Sequence, residues 1–242
     1  MTVDVRRCGS AQDLAEQVAS ALVTTLADVQ RAGRVPSVAL TGGTIAATIH
    51  ETVAASPDAE LVDWSRVDVW FGDERFVSAD DPDRNVRQAA EALLDRLPFD
   101  PARIHPAPAA DGTYATVTEA AEAYGDELRT HGGGRFDVVM LSLGPDGHVA
   151  SLFPGFPQLE VHDALTVAVT DSPKPPPERV SLTFDALNRT REVWFLVSGS
   201  GKADAAAAAL SGTADVHDAP SMGVHGQERT VWFLDEDAAT GV

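Results

Sequence analysis

The chain has 242 residues, with 37 Asp and Glu against 18 Lys and Arg, giving a formal charge of −19 at pH 7. That balance excludes a binder of duplex nucleic acid or a protein docked on anionic membrane, because both need a cationic face. Hydrophobic residues make up 44% and charged residues 23%, mixed along the whole length, which is the composition of a soluble globular protein and not of a disordered chain.

Residues 11–32 read as a helix that Ser10 can cap, with Leu14, Val18, Leu22, Leu26 and Val29 along one face and Gly33 after its end. A short apolar run, Val38 to Leu40, leads into Thr41-Gly42-Gly43-Thr44 and a second helical pattern containing Ile45, Ile49 and Val53. The grammar then repeats: the β-rich run Val67 to Phe71 ends in Gly72-Asp73-Glu74-Arg75, and a helix is expected from about Asn85 to Leu97. Residues 115–130 make a further helix. The continuous apolar stretch 136–144 is the strongest buried-strand candidate and closes in Gly144-Pro145-Asp146-Gly147-His148.

A weaker strand at 165–169 precedes the prolines 173 and 175–177. Val193 to Ser198 is a strand ending in Gly199-Ser200-Gly201-Lys202, an alanine-rich helix runs from about Lys202 to Leu210, and Thr230 to Leu234 is the last strand. Apolar strands alternating with helices predict one doubly wound α/β domain over 1–242, an open, mostly parallel sheet with helices on both faces. Cys8 is the only cysteine, so no internal disulfide framework exists. The opening TVDVRR has no apolar leader, and no run approaches the roughly 18 apolar residues of a membrane span. A cytoplasmic protein is expected.

In such sheets ligands bind outside the carboxyl ends of the strands, where four polar or glycine-rich segments fall. Thr41-Gly42-Gly43-Thr44 suits an anion held by backbone N–H groups at a helix start, or equally an ordinary tight turn with Thr44 as N-cap. It is neither GxGxxG nor a P-loop, and 199–202 also fails the P-loop pattern because Ala203 stands where a magnesium-binding hydroxyl would be. Asp73-Glu74-Arg75 offers a guanidinium oriented by acids, or a solvated ion pair. His148, presented on a sharp glycine turn beside Asp146, is the candidate general base. No HxH, HExxH or Cys–His cluster supports a metal. Lys202 is one of only two lysines, the other being Lys174, and it opposes the dipole of the helix it begins, which points to an anionic ligand; Arg179 is a further basic candidate.

FGDERFVSADDPDRN (71–85), MLSLGPDGHVASLFPG (140–155) and KPPPERVSLTFDALNRTREVWFLVSGSGKADA (174–205), in this order, resemble the 6-phosphogluconolactonases. The resemblance spans nearly the whole chain and implies the fold shared by glucosamine-6-phosphate deaminases and ribose-5-phosphate isomerases. It also implies hydrolysis of 6-phospho-D-glucono-1,5-lactone in the oxidative pentose phosphate pathway, without an obligatory cofactor or metal. On the matching positions His148 becomes the general base, Arg75 a substrate-orienting cation with Asp73 beside it, and Gly42, Gly43, Thr44, Arg179 and Lys202 the phosphate pocket.

Three departures stand out. The first loop lacks the family's proline and reads on as Ile45-Ala46, Ser78 replaces a proline, and Arg84 replaces the serine before Asn85. A deaminase would continue from the histidine with Ala-Phe-Asn-Glu-Pro and use Asp73 as carbon-acid base, whereas this chain continues Val149-Ala150-Ser151-Leu152-Phe153-Pro154. A non-catalytic sugar-phosphate sensor is the other alternative. The expected partner is a small sugar-phosphate lactone, on a monomer or weak homodimer.

Overall fold

The computed structural model describes residues 2–242. Strand β1 (Thr2–Cys8) leads into helix α1 (Ala11–Arg31), followed by β2 (Ser37–Leu40), α2 (Thr44–Ala55) and β3 (Asp68–Phe71). Then come β4 (Asp73–Arg75), α3 (Asn85–Ala89), α4 (Val117–His131), β5 (Val138–Ser142) and β6 (Thr166–Val169). The chain closes through β7 (Arg179–Leu182), α5 (Phe184–Leu187), β8 (Glu192–Val197), α6 (Ala203–Ser211) and β9 (Arg229–Asp235). The main sheet has six strands in the order β1-β9-β8-β5-β2-β3, and every neighbouring pair is parallel.

Its strands are apolar at successive positions because both faces are covered. Val38, Leu40, Val138, Met140, Trp194 and Leu196 pack with Leu14, Leu22 and Val53 under α1 and α2. The intervening residues Ala39, Val139, Leu141, Val193 and Phe195 pack with Ala121 and Leu128 of α4 and with Ala206 of α6. Ser10 caps α1 as expected, its Oγ accepting from the Asp13 N–H at 3.1 Å. Among the described residues no helix is long and apolar enough to cross a membrane.

Three features depart from the sequence reading. β1 was not expected, because it lies at the sheet edge and exposes Val3 and Val5, leaving no apolar run to betray it. The helix expected over 85–97 is regular only to Ala89, and a wider π-turn over Ala90–Leu94 then keeps Ala92, Leu93 and Leu94 in the core. A second sheet, β4-β7-β6, is antiparallel and sits beside the first. Its register places Arg75 opposite Arg179 and Asp73 opposite Ser181, so two sequence-distant candidate segments become one surface.

Leu22 is fully buried on the apolar face of α1. Leu22→Ala should lower stability by about 2–5 kcal/mol through lost burial and an unfilled cavity. Urea unfolding should show a lower midpoint at unchanged slope, with exposed Gln12→Ala moving the midpoint little.

Candidate active site

β2 has β3 on one side and β5 on the other, so the order in which successive strands are added reverses between β2 and β5, where ligands enter open α/β sheets. A cavity of about 320 Å3 lies at these carboxyl ends, lined by Thr41, Gly42, Gly43, Asp73, Arg75, Asn85, Ser142, Leu143, Gly144, Pro145, His148, Ala150, Lys174, Pro175, Arg179 and Lys202. Of the sequence candidates, His148, Asp73, Arg75, Gly42, Gly43, Arg179 and Lys202 meet here. Thr44, expected in the phosphate pocket, does not line the cavity; it is the first residue of α2, and Gly43, with φ +101°, takes the N-cap position that the tight-turn alternative gave to Thr44.

His148 is held at one nitrogen. Its Nδ1 hydrogen-bonds Asp146 Oδ1, and the turn is closed by Gly144 N–H donating to the His148 carbonyl at 2.9 Å and Gly147 N–H to the Gly144 carbonyl at 3.0 Å. A Cβ on Gly144 would overlap the imidazole ring, so the pair can fold back on the turn only where residue 144 has no side chain. Burial raises the Asp146 carboxyl, but the hydrogen bond and charge of His148, with backbone N–H groups, outweigh it and bring it down to about 2. An anionic Asp146 assigns the proton to Nδ1 of the neutral ring and leaves Nε2 with its lone pair. Phe153 packs against the ring at a centroid distance of 4.6 Å.

Asp73 and Arg75 are fixed by a residue the sequence reading passed over. Asn85 Nδ2 donates to the Asp73 carbonyl at 2.7 Å and to its Oδ1 at 3.2 Å, while Asn85 Oδ1 accepts from Arg75 Nη1. A Cβ on Gly42 would overlap the Asn85 amide, which explains the first glycine of that loop. Asp73 Oδ2 also accepts from Ser151 Oγ at 2.7 Å and lies 4.0 Å from Arg179 Nη1. Glu74 points inward: it is buried, accepts the N–H groups of Arg75, Asn85 and Val86 at 2.8, 2.7 and 3.0 Å, and lies 3.6 Å from Arg84 Nε. Desolvation pushes its carboxyl upward against these contacts. It supports the β4 backbone and the start of α3 and does not line the cavity.

The remaining wall suits an anion. Helices α1, α4 and α5 are capped by Ser10, Thr116 and Thr183, but α2 and α6 begin at Gly43 and Lys202 with no side-chain cap. The cavity is lined by Gly42 and Gly43 just ahead of α2 and by Lys202 just ahead of α6, so two helix starts lie beside it together with cationic side chains. Burial, and after it the charge of Lys174, push the Lys202 ammonium pKa down. A hollow of about 370 Å3 at the opposite edge of the sheet is also charged, but Arg34 and Arg191 there pair with Asp137, and its His131 has only a backbone carbonyl partner. Among the described residues no three His, Cys, Asp or Glu side chains are grouped to hold a metal ion.

Fold and site together define an open α/β protein that presents a carboxylate-held imidazole beside a cavity lined by cationic side chains. The profile of "Glucosamine-6-phosphate isomerases/6-phosphogluconolactonase" matches residues 9–232. Over 235 residues the chain is 46% identical to the 6-phosphogluconolactonase of Streptomyces coelicolor, covering 94% of this chain and 90% of that one. It is 40% identical to the 6-phosphogluconolactonase of Mycobacterium leprae over 233 residues, covering 94% and 92%. The crystal structure of the Thermotoga maritima 6-phosphogluconolactonase superposes with a TM-score of 0.85 at 27% identity, over 97% of this chain and all of that one. A monomeric glucosamine-6-phosphate deaminase shares the fold, with a TM-score of 0.83 at 18% identity over 99% and 100% of the two chains. This chain belongs to the glucosamine-6-phosphate isomerase/6-phosphogluconolactonase family, on its lactonase branch.

The lowered Asp146 carboxyl carries a sign. Its ordinary value is 3.8 and its folded value about 2, so the pair stabilises the native state above about pH 4, and that contribution is lost as the pH falls through 2. Asp146→Asn should flatten this part of the acid limb when unfolding midpoints are measured from pH 5 to pH 2. An unchanged limb would mean that the pair is not formed in solution.

Proposed function

We propose that this hydrolase opens 6-phospho-D-glucono-1,5-lactone to 6-phosphogluconate, the lactone-opening step of the oxidative pentose phosphate pathway, in the cytoplasm and within one catalytic domain over 1–242. The observation that carries the reading is the Asp146–His148 pair on a glycine turn, facing the same cavity as Arg75, Lys202 and the two glycines that lead into α2. His148 Nε2 takes a proton from water as the water oxygen bonds to the lactone carbonyl carbon. Arg75, held by Asn85, stabilises the oxyanion, and Asp146 stabilises the imidazolium. The bond from that carbon to the ring oxygen then breaks, and the Nε2 proton passes to the departing oxygen. Water and lactone balance the reaction without an oxidant or a group carrier.

Asp73 in this reading is a charge partner, since its oxygens are engaged by Ser151, Asn85 and the Arg179 guanidinium. Gly42, Gly43, Thr44 and Lys202 make the phosphate end, Thr44 through its backbone at the first turn of α2, with Arg179 supporting the wall behind them.

His148→Ala should lower turnover by about 10²–10⁴-fold with a much smaller change in KM, measured as acid release from freshly made lactone above the spontaneous rate. Near-normal turnover in that variant would remove His148 from the role of base. Unphosphorylated glucono-1,5-lactone should be a far poorer substrate for the wild type; equal rates on the two lactones would remove the phosphate pocket.

A further inference from the structure

The chain's only two lysines, Lys174 and Lys202, line one cavity in a protein of net charge −19. Lys202 is set by its helix start. Lys174 lies on the loop between β6 and β7, exposed at the rim, on a segment with unusual internal support. The buried Arg179 guanidinium donates from Nη2 to the Lys174 carbonyl at 2.9 Å and the Pro175 carbonyl at 3.3 Å, and from Nε to the Pro176 carbonyl at 3.2 Å. Its Nη1 is directed to Asp73, 4.0 Å away. Ser172 Oγ adds a bond to the Lys174 carbonyl at 2.9 Å and accepts the Lys174 N–H at 3.3 Å.

A guanidinium has five N–H donors. When two of its three nitrogens bind three successive carbonyls and the third faces a carboxylate, little of it is left for a ligand. Its charge is nonetheless spent on one particular strap, and that strap carries a lysine into the crevice. A phosphate monoester is nearly dianionic at pH 7, so a pair of ammonium groups matches it better than one. The mutual repulsion of two nearby ammonium groups is relieved when such a dianion lies between them.

We propose that Lys174 is a direct phosphate-binding and specificity-determining residue that acts with Lys202, and that Arg179 is a positioning residue which holds the Lys174–Pro176 strap over the cavity. The proposal rests on the lactonase reading for the identity of the substrate, but not for the anion chemistry.

Two readouts test it: steady-state kinetics on phosphorylated and unphosphorylated lactone, and binding of inorganic phosphate followed by calorimetry. Lys174→Gln, a change at an exposed side chain, should raise KM for the phosphorylated lactone and the Kd for phosphate by about 10-fold each, as expected for one lost charge-assisted contact. The change in KM should exceed the change in turnover, and the loss should be larger on the phosphorylated lactone than on the unphosphorylated one. Arg179→Lys keeps the charge but loses the planar fork that spans three carbonyls. It should raise the same two constants, and adding Lys174→Gln should then change little further.

Unchanged KM and phosphate Kd in Lys174→Gln would overturn the proposal. Fully additive effects in the double variant would overturn the positioning role of Arg179. A wild type that binds phosphate through Lys174 but opens no lactone would support the lysine pair and overturn the lactonase reading instead.

Discussion

A parallel sheet buried on both faces governs the rest of this molecule. Residues on opposite faces of each strand enter separate cores, one under α1 and α2 and the other under α4 and α6. Side chains along the strands are therefore committed to packing, and polar chemistry can gather only where strands end. The carboxyl edge receives the helix starts of α2 and α6, whose N–H groups favour an anion, and the site follows from that arrangement. At the amino edge the same geometry gathers charges that neutralise one another, as Asp137 does with Arg34 and Arg191.

The small antiparallel sheet solves a second problem. A chain with twice as many acids as bases must bind an anionic substrate against its own long-range field. Screening reduces that field to about 8–10 Å, so in the proposed reading the cations within the cavity decide the outcome. Pairing β4 with β7 sets Arg75 beside Arg179 by backbone register, independent of any attraction between the side chains. Asp73 lies close to Arg179 and offsets part of its charge, whereas Asn85, a neutral amide, orients Arg75 through Nη1 without neutralising it. Glu74, between Asp73 and Arg75, does not line the pocket: it points inward, accepts three backbone N–H groups and lies beside Arg84, although its charge still reaches Arg179.

Much of this was legible in the sequence, for identifiable reasons. Elements with a continuous apolar signal, such as α1, β5 and β8, emerge within about two residues of their reading. The four strand-end segments converge as expected because a parallel sheet leaves them one edge. The illegible parts are those whose cause is non-local. β1 is an edge strand with half its side chains in solvent, and β4 is three polar residues that become a strand only by pairing with β7, some hundred residues downstream. Asn85 carries no motif of its own; its role appears once β4 and the start of α3 are adjacent. The glycines at 42 and 144 could be read as turns, but their stronger reason is the side chain each must admit, the Asn85 amide and the His148 ring. Lys174 was noted only for its rarity, because nothing local shows that a buried guanidinium holds its loop.

The three departures from the family's usual residues fall where the fold can absorb them. Ile45 and Ala46 enter the core in the first turn of α2, where a proline would supply a fixed φ but no additional ligand contact. Ser78 is exposed, and its carbonyl closes a turn by accepting the Asp81 N–H at 3.0 Å. Arg84 is the demanding case, a guanidinium 3% exposed, since an unpaired charge at such a depth would be strongly destabilising. It is turned away from the cavity, donates to the Ala107 carbonyl and lies beside the buried Glu74. Glu74 would be an anion supported by N–H dipoles alone if a serine preceded Asn85; here it also has a cation within 3.6 Å. The substitution therefore acts one layer beneath the cavity lining, on the carboxylate that holds the backbone of Arg75 and Asn85, and leaves the cavity wall itself unaltered.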